Sequence, residues 1–436
     1  MSATNGETSR DTEAPRADPA GSAMSQTSTE IYRKSKSLSA TKTHPDGTTR
    51  FSVRVLVDDQ ELESLRPEWE ALAAHALEPS PTAESWMLIP ALRYRLPGNA
   101  VRVVMVFRFD AASPSGLLCA VFPIDERARF RSLPTRVVRL WSHIYSVGSA
   151  PLVRRDCAAA SIRAFLDWVR VEQPPQTIVH FPDLRVDGPF FRVLNEIVNE
   201  DGVGHWLSET WARAMFKPRG DAERYIHSIA TAHHRHEWRR QERRLAEQGD
   251  LTYESLPSPH ETQKWLDEFI ALEMGGWKGK ERTAFGCKDE HRAWLTQVAK
   301  DAASRGRLTM LALRLNGKAI AMRISFLALP GSYAFKIAYD ELWLKFSPGV
   351  LLELENIRRL HAMPEVEWMD SLAAPNHALM DRVWDGRTQI ASFLVAPGPI
   401  LGQFLLSSVP LLQMLKKVLM RRRRASAYTG LPDRSL

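Results

Sequence analysis

Cysteine is scarce in this 436-residue chain. Cys119, Cys157 and Cys287 are odd in number and far apart. That excludes a disulfide framework and a cysteine-built metal site, and it points to a reducing, cytoplasmic setting. Long apolar runs are missing too. Pro397, Gly398, Pro399 and Pro410 interrupt the most apolar stretch, which leaves no segment of about twenty residues fit to span a bilayer. The first thirty residues, rich in Ser, Thr, Ala, Pro and charge, have no apolar centre of a secretory signal, and 1–46 is expected to be a disordered tail. Nor is one sign of charge in general excess. The formal net charge is +7, but Lys416, Lys417, Arg421, Arg422, Arg423 and Arg424 lie together near the C-terminus, and the rest is close to neutral.

Several signatures of chemistry are absent as well. There is no Gly-x-Ser-x-Gly elbow and no dinucleotide fingerprint, which disfavours hydrolase and dehydrogenase readings. The segment 273–280 (EMGGWKGK) fails as a phosphate loop, because no Gly stands five residues before Gly279 and Glu281 takes the place of Ser or Thr. The histidines at 233, 234 and 236 lack paired Cys or carboxylates at ligand spacing, so no metal is expected.

What is present is an α/β (α+β) pattern. Residues 51–57 alternate as a strand, and 61–77 has helical spacing through Leu62, Leu65, Trp69 and Leu72. A helix over 83–96, strands over 101–109, 117–124 and 137–141, a helix over 158–171, a strand over 177–181 and a helix over 190–200 complete a first domain, 47–211. The second, 212–396, repeats the order. It has helices over 223–248, 259–273 and 291–304, then strands over 308–315 and 319–327 joined by Asn316-Gly317, the signal of a type I′ hairpin. A strand over 332–339, a helix over 350–363 and a strand over 366–370 follow. The stretch 332–355 organises this half. Ser347 suits an N-cap and Pro348 a first helical turn, while Gly349 leaves main-chain N–H groups open to a phosphate at the positive helix end. An ordinary capped helix on a sheet would read the same, and from these residues both readings stand.

A set of residues in the second half narrows the choice: Arg239-Arg240 and Arg243-Arg244-Leu245 with Gly249; Leu272-Glu273, Gly276-Trp277-Lys278-Gly279 and Thr283-Ala284; Lys336, Tyr339-Asp340-Glu341 and Ser347-Pro348-Gly349; Asp370-Ser371, Pro375, His377, Asp381, Trp384 and Arg387. In this order and spacing the chain resembles GNAT-superfamily acetyltransferases of the cellulose-biosynthesis-protein (CelD-like) type, double-GNAT proteins related to Fem aminoacyltransferases. The resemblance implies two tandem GNAT-like acyltransferase domains, the first degenerate, each with a mixed, largely antiparallel sheet flanked by helices. It implies acetyl-CoA or another acyl-CoA as co-substrate, and as acceptor an amine of a sugar, an amino acid or an envelope or exopolysaccharide precursor. The pantetheine is expected along 336–339, from Lys336, and the pyrophosphate at Ser347, Gly349 and Val350. Ser347 stands where the family carries its first glycine and Leu344 where it carries Arg or Gln. Two alternatives therefore stay open: a Fem-like transferase using aminoacyl-tRNA, and a non-catalytic accessory protein of a polysaccharide synthase.

An amine attacking a thioester needs a proton acceptor and a donor for the oxyanion. Asp340 and Asp370 are the leading candidates for the first, ahead of Glu341 and Glu273, and Tyr339 is the candidate acid for the departing thiolate. Glu273, Trp277, Lys278, Arg239 and His377 are expected to hold acceptor or donor. Arg235, Arg239 and Arg243 share a helix face that suits phosphates of CoA, of a nucleotide-linked sugar or of tRNA, or solvent alone. Outside the tRNA alternative, nucleic acid is not expected. After a strand near 390–395, the segment 397–436 is apolar and then basic, and from about Leu401 it is expected as an interfacial helix on an anionic membrane surface.

Overall fold

The computed structural model describes residues 41–43 and 49–398, except 95, 97–99, 131–134, 175, 376 and 378. Of the expected tail over 1–46 only 41–43 is described, and it is a strand; the apolar-then-basic segment past 398 lies outside the described residues. The first half runs β1 (Thr41–Thr43), β2 (Arg50–Leu56), α1 (Asp59–Ser64), α2 (Arg66–Ala74), α3 (Ser85–Arg93), β3 (Val101–Asp110), β4 (Ser113–Arg127), β5 (Val137–Leu140), β6 (Leu152–Val153), α4 (Ala158–Glu172), β7 (Ile178–Arg185), α5 (Pro189–Glu200) and β8 (Gly204–Phe216). The second runs α6 (Ala222–Ile229), α7 (Ala232–Ala246), β9 (Leu251–Ser255), α8 (Thr262–Gly275), α9 (Trp277–Lys280), α10 (Asp289–Ser304), β10 (Leu308–Leu315), β11 (Lys318–Ala328), β12 (Gly331–Tyr339), α11 (Pro348–His361), β13 (Trp368–Asp370), α12 (Met380–Val383) and β14 (Arg387–Ala396).

One mixed, largely antiparallel sheet carries these strands in the order β1-β2-β3-β4-β5-β7-β14-β8-β13-β12-β11-β10-β9, with β6 on β4. Only β5 with β7 and β12 with β13 are parallel, each pair joined across a helix as parallel neighbours require. The strand expected near 390–395 is β14. It lies between β7 and β8 and pairs antiparallel with both, which binds the end of the second half into the sheet of the first.

Local chemistry explains most boundaries. Asn316 and Gly317 have φ of 51° and 74°, as a type I′ turn needs. The helix expected over 61–77 is two helices meeting at Leu65, with a proline in the first turn of the second. The one expected over 223–248 breaks before Thr231, whose Oγ1 accepts the His234 N–H at 3.3 Å and starts α7. β8 is not expected from sequence, because its first ten residues are at most half-buried and polar residues fall on both faces. On one sheet face an apolar cluster runs across both halves through Trp69, Trp86, Phe269, Trp294 and Phe335; on the other, α4 and α11 cover separate clusters. No helix among the described residues is long and apolar enough to cross a membrane.

Candidate active site

β12 and β13 pair over three residues only, Gly331 with Trp368, Ser332 with Met369 and Tyr333 with Asp370. β13 then stops while β12 runs on to Tyr339, still paired with β11 on its other side. Beyond Tyr333 one edge of β12 is therefore freed from its sheet neighbour, the main-chain template on which an extended ligand can lie. A bulge at Phe335, opposite Ile324 and Ser325, turns Phe335 and Lys336 to the same face.

Groups from three other segments close over this edge. Lys278 Nζ donates to the Ile337 carbonyl at 2.9 Å and to Glu273 Oε1 at 3.0 Å, while Glu273 Oε2 accepts the Phe285 N–H at 2.8 Å. Trp277 N–H and Lys280 Nζ both donate to the Glu341 carboxylate, at 2.6 and 2.8 Å. From the first half comes the segment between β5 and β6: the Tyr145 ring lies 5.4 Å from Lys336 Nζ, with the rings of Phe285 and Phe335 at 5.9 and 5.8 Å. Lys336 makes no hydrogen bond or ion pair among the described residues. Burial, and then the charge of Lys278, hold its pKa below the usual lysine value.

At the point of divergence, Tyr333 and Asp370 face a small cavity walled mainly by the first half, with Glu78, Asp183, Arg185 and Arg213 around it. Gly148 belongs to the wall at φ 76°, where a Cβ would stand 3.2 Å from the Tyr333 hydroxyl; this position needs glycine on both counts. Asp370 Oδ1 accepts the Leu372 N–H at 2.7 Å and Oδ2 lies 3.6 Å from Arg213 Nη1. Glu78 Oε2 accepts the Phe190 N–H at 3.1 Å, and Arg185 stacks 4.5 Å over the Trp368 ring. Asp183, at φ 56°, has a carboxylate with no hydrogen bond or ion pair among the described residues. Burial lifts its pKa, more than Arg213 and Arg139 pull it down, and burial lifts that of Glu78 as well. The free volume is about 20 Å³, room for one water.

The helix start differs from expectation. Ser347 is left-handed at φ 52° and ψ 51°, and its hydroxyl caps nothing. An N-cap needs extended backbone to bring its oxygen to the second or third amide, which this conformation denies. Instead the Ser347 carbonyl takes the Val350 and Leu351 N–H groups at 2.9 and 3.2 Å. Pro348 has no N–H, so of the first four amide positions only Gly349 keeps one for a ligand. Gly349 is buried, and a Cβ there would meet Tyr339 Cδ1 at 3.5 Å, an ordinary contact.

The expected residues therefore fall into separate places. Asp370 sits at the divergence, whereas Tyr339 and Asp340 lie six and seven residues farther along β12, about 20 Å at the usual strand rise. The two aspartates cannot serve one reacting carbon. Asp340 caps the turn after β12 through the Leu342 N–H at 3.0 Å and opens on a different groove, of about 440 Å³, with Glu268, Arg314 and Lys318. Glu273, Lys278 and Lys336 gather on the freed edge, and Trp277 is half-exposed beside it. Val350, half-buried, is in the first turn of α11. Arg239 lines a shallow cleft with Trp238, Leu351 and Arg358 on the outer side of that helix. The cationic stripe is not uniform, because Arg235 turns inward to the His227 carbonyl at 3.2 Å and the Ala230 carbonyl. His377 is exposed, and its Nδ1 accepts the Met380 N–H at 3.3 Å at the start of α12. Among the described residues no group of His, Cys, Asp and Glu could hold a metal. Sequence reasoning passes over Glu78, Asp183, Arg213 and Tyr333, which belong to no local motif.

The sequence profile of the acetyltransferase (GNAT) domain family matches residues 232–377. This stretch is a GNAT acetyltransferase domain. It runs from α7 to the residues after β13 and contains the freed edge, the helix start and Asp370, an acyltransferase unit to which the first half adds a wall. No curated protein matches the chain. Solved structures similar to it include the C-terminal domain (DUF2156) of a candidate lysylphosphatidylglycerol synthetase from Agrobacterium fabrum, at 12% identity, covering 83% of this chain and 98% of that one with a TM-score of 0.47. FemX is similar at 8% identity, 81% and 99% coverage and a TM-score of 0.47. A tandem GNAT protein from the clavulanic acid biosynthesis pathway is similar at 14%, with 80% and 99% coverage and a TM-score of 0.37.

Proposed function

We propose that the chain is an N-acyltransferase that moves an acetyl or related acyl group from CoA to an amine of a sugar, an amino acid or an envelope precursor. The observation that carries this reading is the freed edge of β12 running down to a carboxylate-lined cavity at Tyr333 and Asp370. An acyl-pantetheine arm laid along the edge brings its thioester to the mouth of the cavity. There the amine nitrogen attacks the carbonyl carbon, the C–N bond forms and the C–S bond breaks. The amine proton passes to a cavity carboxylate, directly or through one water, and the thiolate departs along the edge, where solvent protonates it. A main-chain N–H of β12 can stabilise the oxyanion. Lys278 donates to the Ile337 carbonyl, and an arm that pairs with that carbonyl takes its place.

The single free amide at Gly349 and the uncapped Ser347 favour, as a second reading, a donor that asks less of the helix start, such as the ester of an aminoacyl-tRNA. Titration calorimetry with acetyl-CoA and with CoA separates the two. Saturable heat with both supports the first; none at millimolar ligand sinks it and leaves the aminoacyl or the accessory reading. Gly349→Asp sets a carboxylate beside the one free amide. It is expected to weaken CoA binding at least about tenfold with the fold intact, and an unchanged affinity would put the phosphates elsewhere.

A further inference from the structure

The charges around the freed edge of β12 do not balance. Glu273 is the carboxylate that acts on Lys336 through its charge, yet both its oxygens are taken, Oε1 by Lys278 Nζ at 3.0 Å and Oε2 by the Phe285 N–H at 2.8 Å. Two ammonium groups therefore share one carboxylate. An ammonium has three N–H donors, and that of Lys336 meets no acceptor for them among the described residues. Aromatic rings surround it instead. Those of Tyr145, Phe335 and Phe285 stand at 5.4, 5.8 and 5.9 Å, close to the limit of about 6 Å within which a ring face attracts a cation. Such contacts offset only part of the lost hydration.

The surroundings are fixed in place. Tyr145 is buried, its hydroxyl lies 2.7 Å from His291 Nδ1, and its ring stacks on Trp294 at 5.1 Å with Phe285 at 4.4 Å. Lys336 itself is only half-buried, which leaves it open to a small ligand. Position ties it to the reacting centre. The bulge puts Phe335 and Lys336 on the face that Tyr333 shares, three residues and roughly 10 Å along the strand at the usual rise. One segment of the first half covers both, with Tyr145 over Lys336 and Gly148 against the Tyr333 hydroxyl. An anion carried a few atoms from the reacting carbonyl or amine can therefore meet Lys336. One excess positive charge matches a carboxylate, whereas a phosphate monoester brings nearly two negative charges and calls for more donors than one lysine.

We propose that Lys336 binds a carboxylate of the substrate, carried either by the amine acceptor, as in an amino acid, or by the acyl group, as in a dicarboxylic acid joined to CoA through one end. The inference rests on the acyltransferase reading of this edge and narrows it. A neutral amine acetylated from acetyl-CoA leaves the lysine unpaired and is expected to be a poor substrate. Lys336 sets specificity, and the bond-making atoms need no proton from it.

The test is titration calorimetry of the full chain with two matched pairs, succinyl-CoA against butyryl-CoA and N-acetylglycine against N-acetylglycinamide. Within each pair the size is nearly constant and the carboxylate differs. In at least one pair the carboxylate member is expected to bind about tenfold more tightly or better, the scale of one charge-assisted hydrogen bond. A preference in the CoA pair places the carboxylate on the acyl group; one in the glycine pair places it on the acceptor. Lys336→Met keeps the bulk and removes the charge, so it should abolish the preference and leave the neutral member unchanged, while Lys336→Arg should keep much of it. An unchanged melting temperature shows that the fold is kept, and Lys336→Gln repeats the test should methionine disturb it. Equal binding within both pairs overturns the inference, as does a preference that survives in Lys336→Met or a variant that weakens both members alike. If neither CoA thioester gives heat, the donor reading fails, and the glycine pair still decides on Lys336.

Discussion

Two strand–helix–strand units in this chain share a plan and differ in what they do with it. In β5-α4-β7 the parallel pair holds residues 137–139 against 178–180; in β12-α11-β13 it holds 331–333 against 368–370. β5 ends one residue later, at Leu140, and the chain departs in a long connection, whereas β12 continues six residues past its last pair. Under α4 the contact with the sheet is apolar, with Phe165 stacked on Phe122 at 4.0 Å. Under α11 an ionic network is set into the apolar contact. Glu353, fully buried, accepts from Arg323 Nη1, from Asn356 Nδ2 at 2.9 Å and from Trp384 Nε1 at 3.0 Å, and Arg323 also donates its Nε to Ser325 Oγ at 3.0 Å and reaches Met369 of β13. The first unit has closed its divergence and contributes the segment through Tyr145 and Gly148 that lines the second. The second keeps its divergence open over a polar network tied to β13.

The largest test of that contrast is Glu353→Ala, which strands the buried Arg323 charge and is expected to cost about 3–5 kcal/mol. Denaturant titration should show it as severe a loss as Phe165→Ala, whose cavity costs a similar ~3–5 kcal/mol in the apolar unit. Arg323→Met combined with Glu353→Leu gives the second unit the apolar solution of the first and should restore wild-type stability or exceed it. If the double variant is as unstable as Glu353→Ala, the network is not replaceable by packing and the comparison fails at this point.

Next in size is Asp183→Asn, which asks whether the first half supplies chemistry or only a wall. As proton acceptor Asp183 must be ionised, and burial sets its pKa above the ordinary aspartate value. Activity should therefore rise with pH through that raised pKa. The asparagine variant should lose this limb and about a hundredfold or more in kcat/KM, while donor binding is kept. Stability moves the other way. A carboxyl raised in the folded state contributes stability that is full below its unfolded pKa and lost as pH rises through the folded one, so at neutral pH the variant should be at least as stable as wild type. A variant that keeps the limb would return the role to Asp370 or Glu78.

Much of the fold can be read in the residues because each element agrees with its own chemistry. The Asn316-Gly317 turn, the strands 308–315 and 332–339 and the helix after Pro348 all follow from local signals, and the family pattern points to the β12 edge on which the donor is proposed to lie. The cavity is different. Asp183 on β7, Arg213 on β8 and Glu78 before α3 meet Tyr333 only because β14 and β8 join the two halves into one sheet, and β8 itself hides from a periodicity reading. A pairing as distant in sequence as that of Ala214 with Arg387 leaves no trace in local spacing. Asp340 is the reverse case: it stands in the motif, yet the strand rise carries it about 20 Å from Asp370.

The smallest effect concerns the two helix starts. Cys157 precedes α4 at φ −137°, without strain, whereas Ser347 precedes α11 in the left-handed region, where a non-glycine residue costs roughly 1 kcal/mol. Only its carbonyl is used by the helix, so Ser347→Gly should keep every contact there and gain about 0.5–1 kcal/mol, or a degree or two in Tm by calorimetry. Gly349→Ala, at ordinary contact distance from Tyr339, should be nearly neutral by the same measurement. If Ser347→Gly stabilises and leaves acetyl-CoA affinity unchanged, the strained start of the second unit is incidental to the donor. If it stabilises and affinity falls, the left-handed serine orients the Gly349 amide, and the difference between the two helix starts belongs to function.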